Sequence, residues 1–331
     1  MSESLYKRGV RILEATIAIS ANRRSLLPSL PPALEVKSLL TDFRAVEEVP
    51  FFCRADGAIE LLEDSSAEPR YRRVGMKSFF EGPLVELGRS ASDLRYSLWG
   101  NQGFLYRFAL FLLEKKHGIF NLHACALYQS SAHRLFIVAG GSGSGKTVYL
   151  LSGLEQGLAL FSTETVHFRS EGNRFCWFMG SLIDNVRLTT LKRHFPRFLP
   201  LARQDKTEKE GQDKRAIDLS PYRLRQEALI DPEVVLLFPR IEEDFRSFRL
   251  SPHLDLSRVT RLLFANISEK VAETVILYDH IPILGFDRRD LAEARLRAAR
   301  TLAEQQKTVF SGEVISNPEQ CWGDLLERRS I

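Results

Sequence analysis

The chain has 331 residues, enough for two ordinary domains with a sizeable core. Hydrophobic residues make up 44% and charged residues 27%, the balance of a globular protein in water. Its 46 basic and 42 acidic residues leave a formal charge of +4, too even to argue for a nucleic-acid partner. Residues 1–102 are expected to form a smaller α+β domain, and residues 103–331 the main one. Residues 6–19 mix apolar and polar side chains at helical spacing and read as a helix, broken by Pro28, Pro31 and Pro32. Residues 51–61 read as a hairpin closed at Asp56-Gly57. The run Arg70-Tyr71-Arg72-Arg73 reads as a solvated strand face. Nothing in this part specifies chemistry. Residues 103–116 follow as a strongly apolar helix, with Phe104, Leu105, Phe108 and Leu112 on its buried face, ending at Gly118. Residues 119–128 are strand-like, and 129–133 turn into the apolar strand 135–139. So short a link forces an antiparallel hairpin. A turn centred near Ser131 then puts His123 opposite Ala139.

The strand leads into Gly140-Gly141-Ser142-Gly143-Ser144-Gly145-Lys146-Thr147, which fits the phosphate-binding pattern G-x-x-x-x-G-K-[ST]. Residues 148–154 open a helix that Gly157 can end. Strand, glycine loop and helix are the context the motif needs. Glycines let backbone N–H groups converge on phosphate oxygens, and the helix N-terminus adds partial positive charge. Lys146 can reach the terminal phosphates, and the Thr147 hydroxyl can join the coordination of Mg²⁺. These residues point to a bound nucleoside triphosphate.

Residues 158–161 can return as a parallel strand through a right-handed crossover. Its carboxyl end then delivers Ser162, Thr163 and Glu164 to the edge where ligands bind in such sheets. Residues 166–179 read as a hairpin turning at Glu171-Gly172-Asn173. A basic helix over 189–195 is ended by Pro196. Residues 204–215 read as a polar surface loop, and 216–219 and 234–238 as strands. A helix over 287–307 offers Leu291, Ala294, Leu296, Ala299 and Leu302 for burial, with Arg295, Arg297 and Arg300 on a solvated face. Asp184 is a spare carboxylate to which the sequence assigns no role. Cys53, Cys125, Cys176 and Cys321 lie far apart, with neither zinc-site spacing nor a disulfide framework, which suits a reducing cytoplasm. The N-terminus lacks a signal-peptide layout, and Arg107 interrupts the most apolar stretch well short of a bilayer span, so no membrane partner is expected.

Leu122-His123-Ala124, Gly140 to Thr147, and the strand ending in Ser162-Thr163-Glu164 resemble the HPr serine kinase/phosphorylase family and its kinase-like relatives. Fainter echoes follow in Asn185-Val186-Arg187-Leu188, Asp213-Lys214-Arg215 and Leu237-Phe238-Pro239-Arg240. The likeness spans roughly residues 104–305. It implies an α/β P-loop kinase domain with a mixed central sheet, related to phosphoenolpyruvate carboxykinase, behind the smaller N-terminal α+β domain. It also implies that His123 stands beside the reacting phosphate, and it leaves room for a homo-oligomer. The family carries two consecutive aspartates where this chain has Thr163-Glu164. Glu164 keeps one carboxylate and Thr163 cannot act as a base. The signature of the phosphorylase half-reaction is absent, so no phosphorylase activity is expected.

The expectation is an ATP- and Mg²⁺-dependent kinase acting on a hydroxyl in a protein, peptide or small molecule, with residues 1–102 as a docking unit. Lys146 and the loop amides would hold the phosphates, Thr147 and Glu164 the metal, and Glu164 or His123 the hydroxyl proton. Arg187, Lys214 and Arg215 are candidates for countering phosphate charge, although surface ion pairs would account for them as well. The competing reading is a nucleotide-binding regulator or interaction protein in which Thr163 marks a lost active site.

Overall fold

Val10, Ile12, Thr16, Ile17 and Ile19 are β-branched, and they build strands, not the helix expected over residues 6–19. The computed structural model describes residues 5–28, 46–51, 54–141, 143–172, 174–202, 214–240, 249–252, 255–304, 308–315, 322–323 and 325–326. In it β1 (Tyr6–Ile12) and β2 (Ala15–Ala21) form an antiparallel hairpin, turning at Leu13 with φ 51°. Apolar residues at 10, 12, 17 and 19 fit both periods over so short a run, which is why spacing alone misled.

Next come β3 (Val46–Val49), β4 (Gly57–Glu63), β5 (Arg70–Val74) and β6 (Lys77–Gly82). Among the described residues these six strands make one mixed sheet in the order β3-β1-β2-β4-β6-β5. The hairpin expected to close at Asp56-Gly57 does not form, because β4 runs parallel to both β2 and β6. Thr16 of β2 donates its N–H and its hydroxyl to the Asp56 carboxylate at 2.8 and 2.9 Å, which leads β4 in alongside β2. Residues 52 and 53 of that expected hairpin lie outside the described residues. Arg70 and Arg72 of the edge strand β5 are exposed, in keeping with a solvated face.

Helices α1 (Leu84–Ser90) and α2 (Phe104–Leu112) follow, and α2 is buried all round. The chain divides into two compact units, 1–119 with 268–292, and 120–267 with 293–331. This division differs from the expected boundary at 102/103, and α2 falls in the first unit. There Arg107 of α2 donates to the Lys270 carbonyl at 2.6 Å and pairs with the Glu273 carboxylate at 2.8 Å.

The second unit opens with β7 (Phe120–Gln129) and β8 (Arg134–Ala139), the expected antiparallel hairpin. Helix α3 (Lys146–Glu155) follows, and Gly157 at φ 83° ends it. Then come β9 (Ala159–Ser162), β10 (Thr165–Glu171), β11 (Arg174–Phe178), β12 (Ile183–Arg187), α4 (Leu188–His194), β13 (Lys214–Asp218), β14 (Ala228–Ile230), β15 (Glu233–Arg240) and β16 (Arg249–Pro252). Helix α5 (Leu256–Ala272) leads to the short hairpin of β17 (Val275–Leu277) and β18 (Ile281–Ile283); α6 (Arg289–Ala303) and β19 (Thr308–Ile315) close the chain. The main sheet runs β14-β11-β10-β7-β8-β15-β19-β16, with β9 also paired to β7. It is mixed: β8, β15 and β19 are parallel neighbours and the remaining pairings are antiparallel. The fold class is thus mixed α/β with mixed sheets.

Two details depart from expectation. Residues 214 and 215 belong to β13, whereas 204–213 of the expected polar loop lie outside the described residues. On α6 the inward stripe is Leu291, Arg295, Ala298, Ala299 and Leu302, so Arg295 is 0% exposed while Leu296 is 48% exposed. Position 295 lies one helical turn beyond Leu291, which places it on the buried face whatever its charge. Among the described residues no helix is long and apolar enough to cross a membrane.

Candidate functional site

Every residue of β8 is buried, so the strand is fixed, and the chain leaves it at Ala139 into the glycine loop. Gly143 and Gly145 take φ 81° and 97°, backbone angles that side chains disfavour. A Cβ on Gly140 would meet the Ser144 hydroxyl oxygen at 2.6 Å. Lys146 then opens α3, and its Nζ curls back to donate to the carbonyls of Gly140 and Gly141 at 2.6 and 3.0 Å. Thr147 follows, half-buried. Ser142 lies outside the described residues.

Beside the loop, β7 shares one edge between two strands. Thr165 of β10 lies opposite His123, and Ser162 of β9 opposite Ala126. Thr163 and Glu164, the corner between those strands, therefore sit level with Ala124 and Cys125. On the other side Ala124 lies opposite Ala139, the last residue of β8. That register is one residue from the expected pairing of His123 with Ala139, because the connection 130–133 is centred half a residue later. His123 stands just past the end of β8, at the level of the glycine loop. β9 runs in the direction of β8, but its hydrogen-bonded neighbour is β7, to which it is antiparallel.

The side chains meet at this edge. His123 Nε2 lies 3.5 Å from Glu164 Oε1; the histidine is 7% exposed and the glutamate 39%. Asn266 of α5 clamps the His123 backbone, accepting its N–H at 2.8 Å and donating to its carbonyl at 3.0 Å. The Thr163 hydroxyl reaches the carbonyls of Ser181 and Ile183 at 3.2 and 2.8 Å. Its own N–H donates to the Ser181 carbonyl at 2.9 Å. Thr163 is thus a clip that ties the corner to the start of β12. Gly180 completes the contact, since a Cβ there would lie 1.7 Å from the Thr165 carbonyl oxygen.

What the clip delivers is Asp184, the carboxylate that sequence reasoning left aside. It is 3% exposed. The Asn185 N–H donates to Oδ1 at 2.7 Å, and Oδ2 has no hydrogen-bond partner among the described residues. Burial foremost, then the Glu164 charge, pushes its pKa up to about 7 against the pull of the Asn185 N–H, the Thr147 hydroxyl and the Lys146 charge. Asp184 therefore lies in the electrostatic reach of the corner and of the first turn of α3. A sequence signal existed: Leu182, Asp184 and Val186 alternate at strand spacing, which puts an acid at an inward position.

Of the three basic candidates, the pairing of β12 with β13 separates two from the third. Arg187 lies opposite Lys214, and both are exposed on the face turned away from Asp184. Arg215 lies opposite Val186 and so shares the face of Asp184. Cys125 is buried with its thiol 3.5 Å from the Lys146 carbonyl, and burial pushes its pKa up, which leaves it unreactive. No group of three or more His, Cys, Asp or Glu side chains able to hold a metal occurs among the described residues. Two carboxylates and a hydroxyl remain, hard oxygen donors of the kind that share Mg²⁺ with phosphates.

No protein-family model matches the chain, and no curated protein matches it in sequence. Among solved structures, the Hpr(Ser) kinase/phosphatase from Coxiella burnetii aligns with 55% of this chain and 95% of its own, at 14% identity and a TM-score of 0.24. At that distance neither its activity nor its site residues transfer to this chain.

Proposed function

We propose that the second unit binds ATP with Mg²⁺ at the glycine loop and transfers the γ-phosphoryl group to a hydroxyl of a protein, peptide or small molecule. The observation that supports this reading best is the meeting, at one sheet edge, of the loop, Lys146 and a half-exposed Glu164 with His123 3.5 Å from it. In this reading the loop amides and the N-terminus of α3 face the β- and γ-phosphates. Lys146 Nζ, resting on two neutral carbonyls, gains by moving to anionic oxygens. Mg²⁺ would neutralise phosphate charge, and Thr147 and Glu164 are oxygen donors suited to it. Glu164, the more exposed of the pair, takes the proton of the acceptor hydroxyl, and His123 orients it from behind. The acceptor oxygen bonds to the γ-phosphorus as the bond to the bridging oxygen breaks, and ADP leaves with that electron pair.

The test is calorimetric titration of ATP, with and without Mg²⁺, into the wild type and Lys146→Ala. ATP binding that Mg²⁺ strengthens and the substitution abolishes is expected, and no binding by a well-folded wild type would sink the reading. Because the Thr163 hydroxyl is committed to two carbonyls and serves no chemistry, a nucleotide-binding regulator is the competing reading. Glu164→Gln separates the two. A kinase keeps most of its nucleotide affinity and loses about 10²–10⁴-fold in transfer rate, whereas a regulator is nearly indifferent.

A further inference from the structure

We propose that Asp184 is the second carboxylate of a divalent-cation site whose other ligands on this chain are Glu164 and the Thr147 hydroxyl. The inference deepens the nucleotide reading above and rests on it only for the phosphate oxygens that would complete the coordination.

Three independent features carry it. Asp184 is 3% exposed, and its Oδ2 has no hydrogen-bond partner among the described residues. Leaving a buried carboxylate oxygen without a donor is costly, and native folds keep such a group where a ligand supplies what is missing. The side chains that act on it are Glu164, Thr147 and Lys146, so one further acid sits among the groups already assigned to metal and phosphate. Its position is also built, not incidental. The Thr163 hydroxyl holds the Ile183 carbonyl at 2.8 Å, one residue before Asp184. The Ser181 hydroxyl holds the same carbonyl at 2.9 Å and accepts the Ile183 N–H at 3.1 Å. Gly180 lets this segment approach the β9–β10 corner where any side chain would collide with the Thr165 carbonyl. Mg²⁺ takes one or two carboxylates and keeps its other positions for water and phosphate oxygens. Two carboxylates and a hydroxyl match that habit, and they make a site that is weak until phosphates arrive.

The probe is Mn²⁺, titrated into the full chain with and without ATP and followed by its paramagnetic resonance, with ATP titrated separately in EDTA. The wild type is expected to bind Mn²⁺ more tightly when ATP is present. Asp184→Asn should weaken that binding by about tenfold or more, while ATP affinity in EDTA is unchanged or improved. Thr163→Val keeps both carboxylates but removes one of the two hydroxyls that hold the Ile183 carbonyl, and a smaller loss of Mn²⁺ affinity is expected. Wild-type Mn²⁺ affinity in Asp184→Asn overturns the proposal, as does a wild type that binds ATP in EDTA but no Mn²⁺ at all. A wild type that binds neither overturns the nucleotide reading with it, and the EDTA titration tells the two failures apart. If Asp184→Asn does not fold, Thr163→Val decides, and an affinity unchanged there overturns the proposal.

Discussion

Thr163 and Asp184 exchange the importance that sequence alone would give them. Thr163 stands where an acid was expected and is a structural clip; Asp184 stands on a neighbouring strand and brings the carboxylate. The raised pKa of Asp184 gives a test that needs no ligand. The unfolded chain releases this proton near 3.8 and the folded chain at about 7. Between those values the folded state holds more protons, so this group makes stability fall as pH rises through the window and level off above it. Asp184→Asn removes that loss. In EDTA the variant should match the wild type near pH 4 and become progressively more stable towards pH 7. The gain should reach a few kcal/mol, since each pH unit crossed within the window is worth about 1.4 kcal/mol. Melting temperatures across pH 4–8 read this directly. A gain over the wild type no larger at pH 8 than at pH 4 would mean that a partner already compensates the charge. Much of the site was legible at this scale. The glycine loop announced itself by spacing, and His123 and Glu164 followed from counting along strands. Asp184 was missed because its role depends on the Thr163 clip, a contact between segments that no local pattern encodes.

At the scale of elements, the corner between β9 and β10 is the part most exposed to substitution. A Cβ at Gly180 would overlap the Thr165 carbonyl oxygen at 1.7 Å and the Ser162 hydroxyl oxygen at 2.5 Å. A backbone carbonyl inside a sheet cannot yield without breaking its pairing. Gly180→Ala is therefore expected to destabilise by about 1–3 kcal/mol or more. Gly141→Ala is the control, because a Cβ there meets nothing within 4 Å among the described residues. It should be nearly neutral to the fold. Urea unfolding of both variants checks the contrast, and equal costs would contradict the packing described. A second element test lies at the far end of the chain. Trp322 is fully buried, its Nε1 donates to the Tyr149 carbonyl of α3 at 2.9 Å, and its ring meets Phe136 of β8 edge-on at 5.2 Å. Trp322→Ala should cost about 3–5 kcal/mol and loosen the helix that begins with Lys146, seen as faster amide exchange in α3. The β7–β8 hairpin was legible because a short polar turn joins two apolar runs. The first hairpin was not, because a strand of seven residues is too short to separate the two periodicities.

At the scale of the molecule, the first unit is discontinuous, and this could not be read from composition. Residues 268–292 return to it after the second unit has begun. Their contribution to the first unit is specific. Tyr278 donates its N–H to the Tyr96 carbonyl at 3.0 Å, and its hydroxyl accepts the Leu98 N–H at 3.2 Å. Asp279 accepts from the Ser92 hydroxyl at 2.7 Å, and Phe286 stacks on Phe111 with centroids 5.3 Å apart. Arg107 is 1% exposed and takes its carbonyl and carboxylate partners from Lys270 and Glu273. Residues 1–119 alone would keep the Gln102 carbonyl at 3.1 Å from that guanidinium but remove the Lys270 and Glu273 partners, and would expose an aromatic cluster to water, two changes that together cost several kcal/mol. Against a typical domain stability of about 5–15 kcal/mol, that loss is enough to abolish cooperative folding. The expectation is that a fragment of residues 1–119 shows no sharp thermal transition, while the same fragment joined through a short polar linker to residues 268–292 does. Circular dichroism melts of the two pieces make the comparison. A cooperative melt of residues 1–119 by themselves would mean that the returning segment decorates the first unit without completing its core.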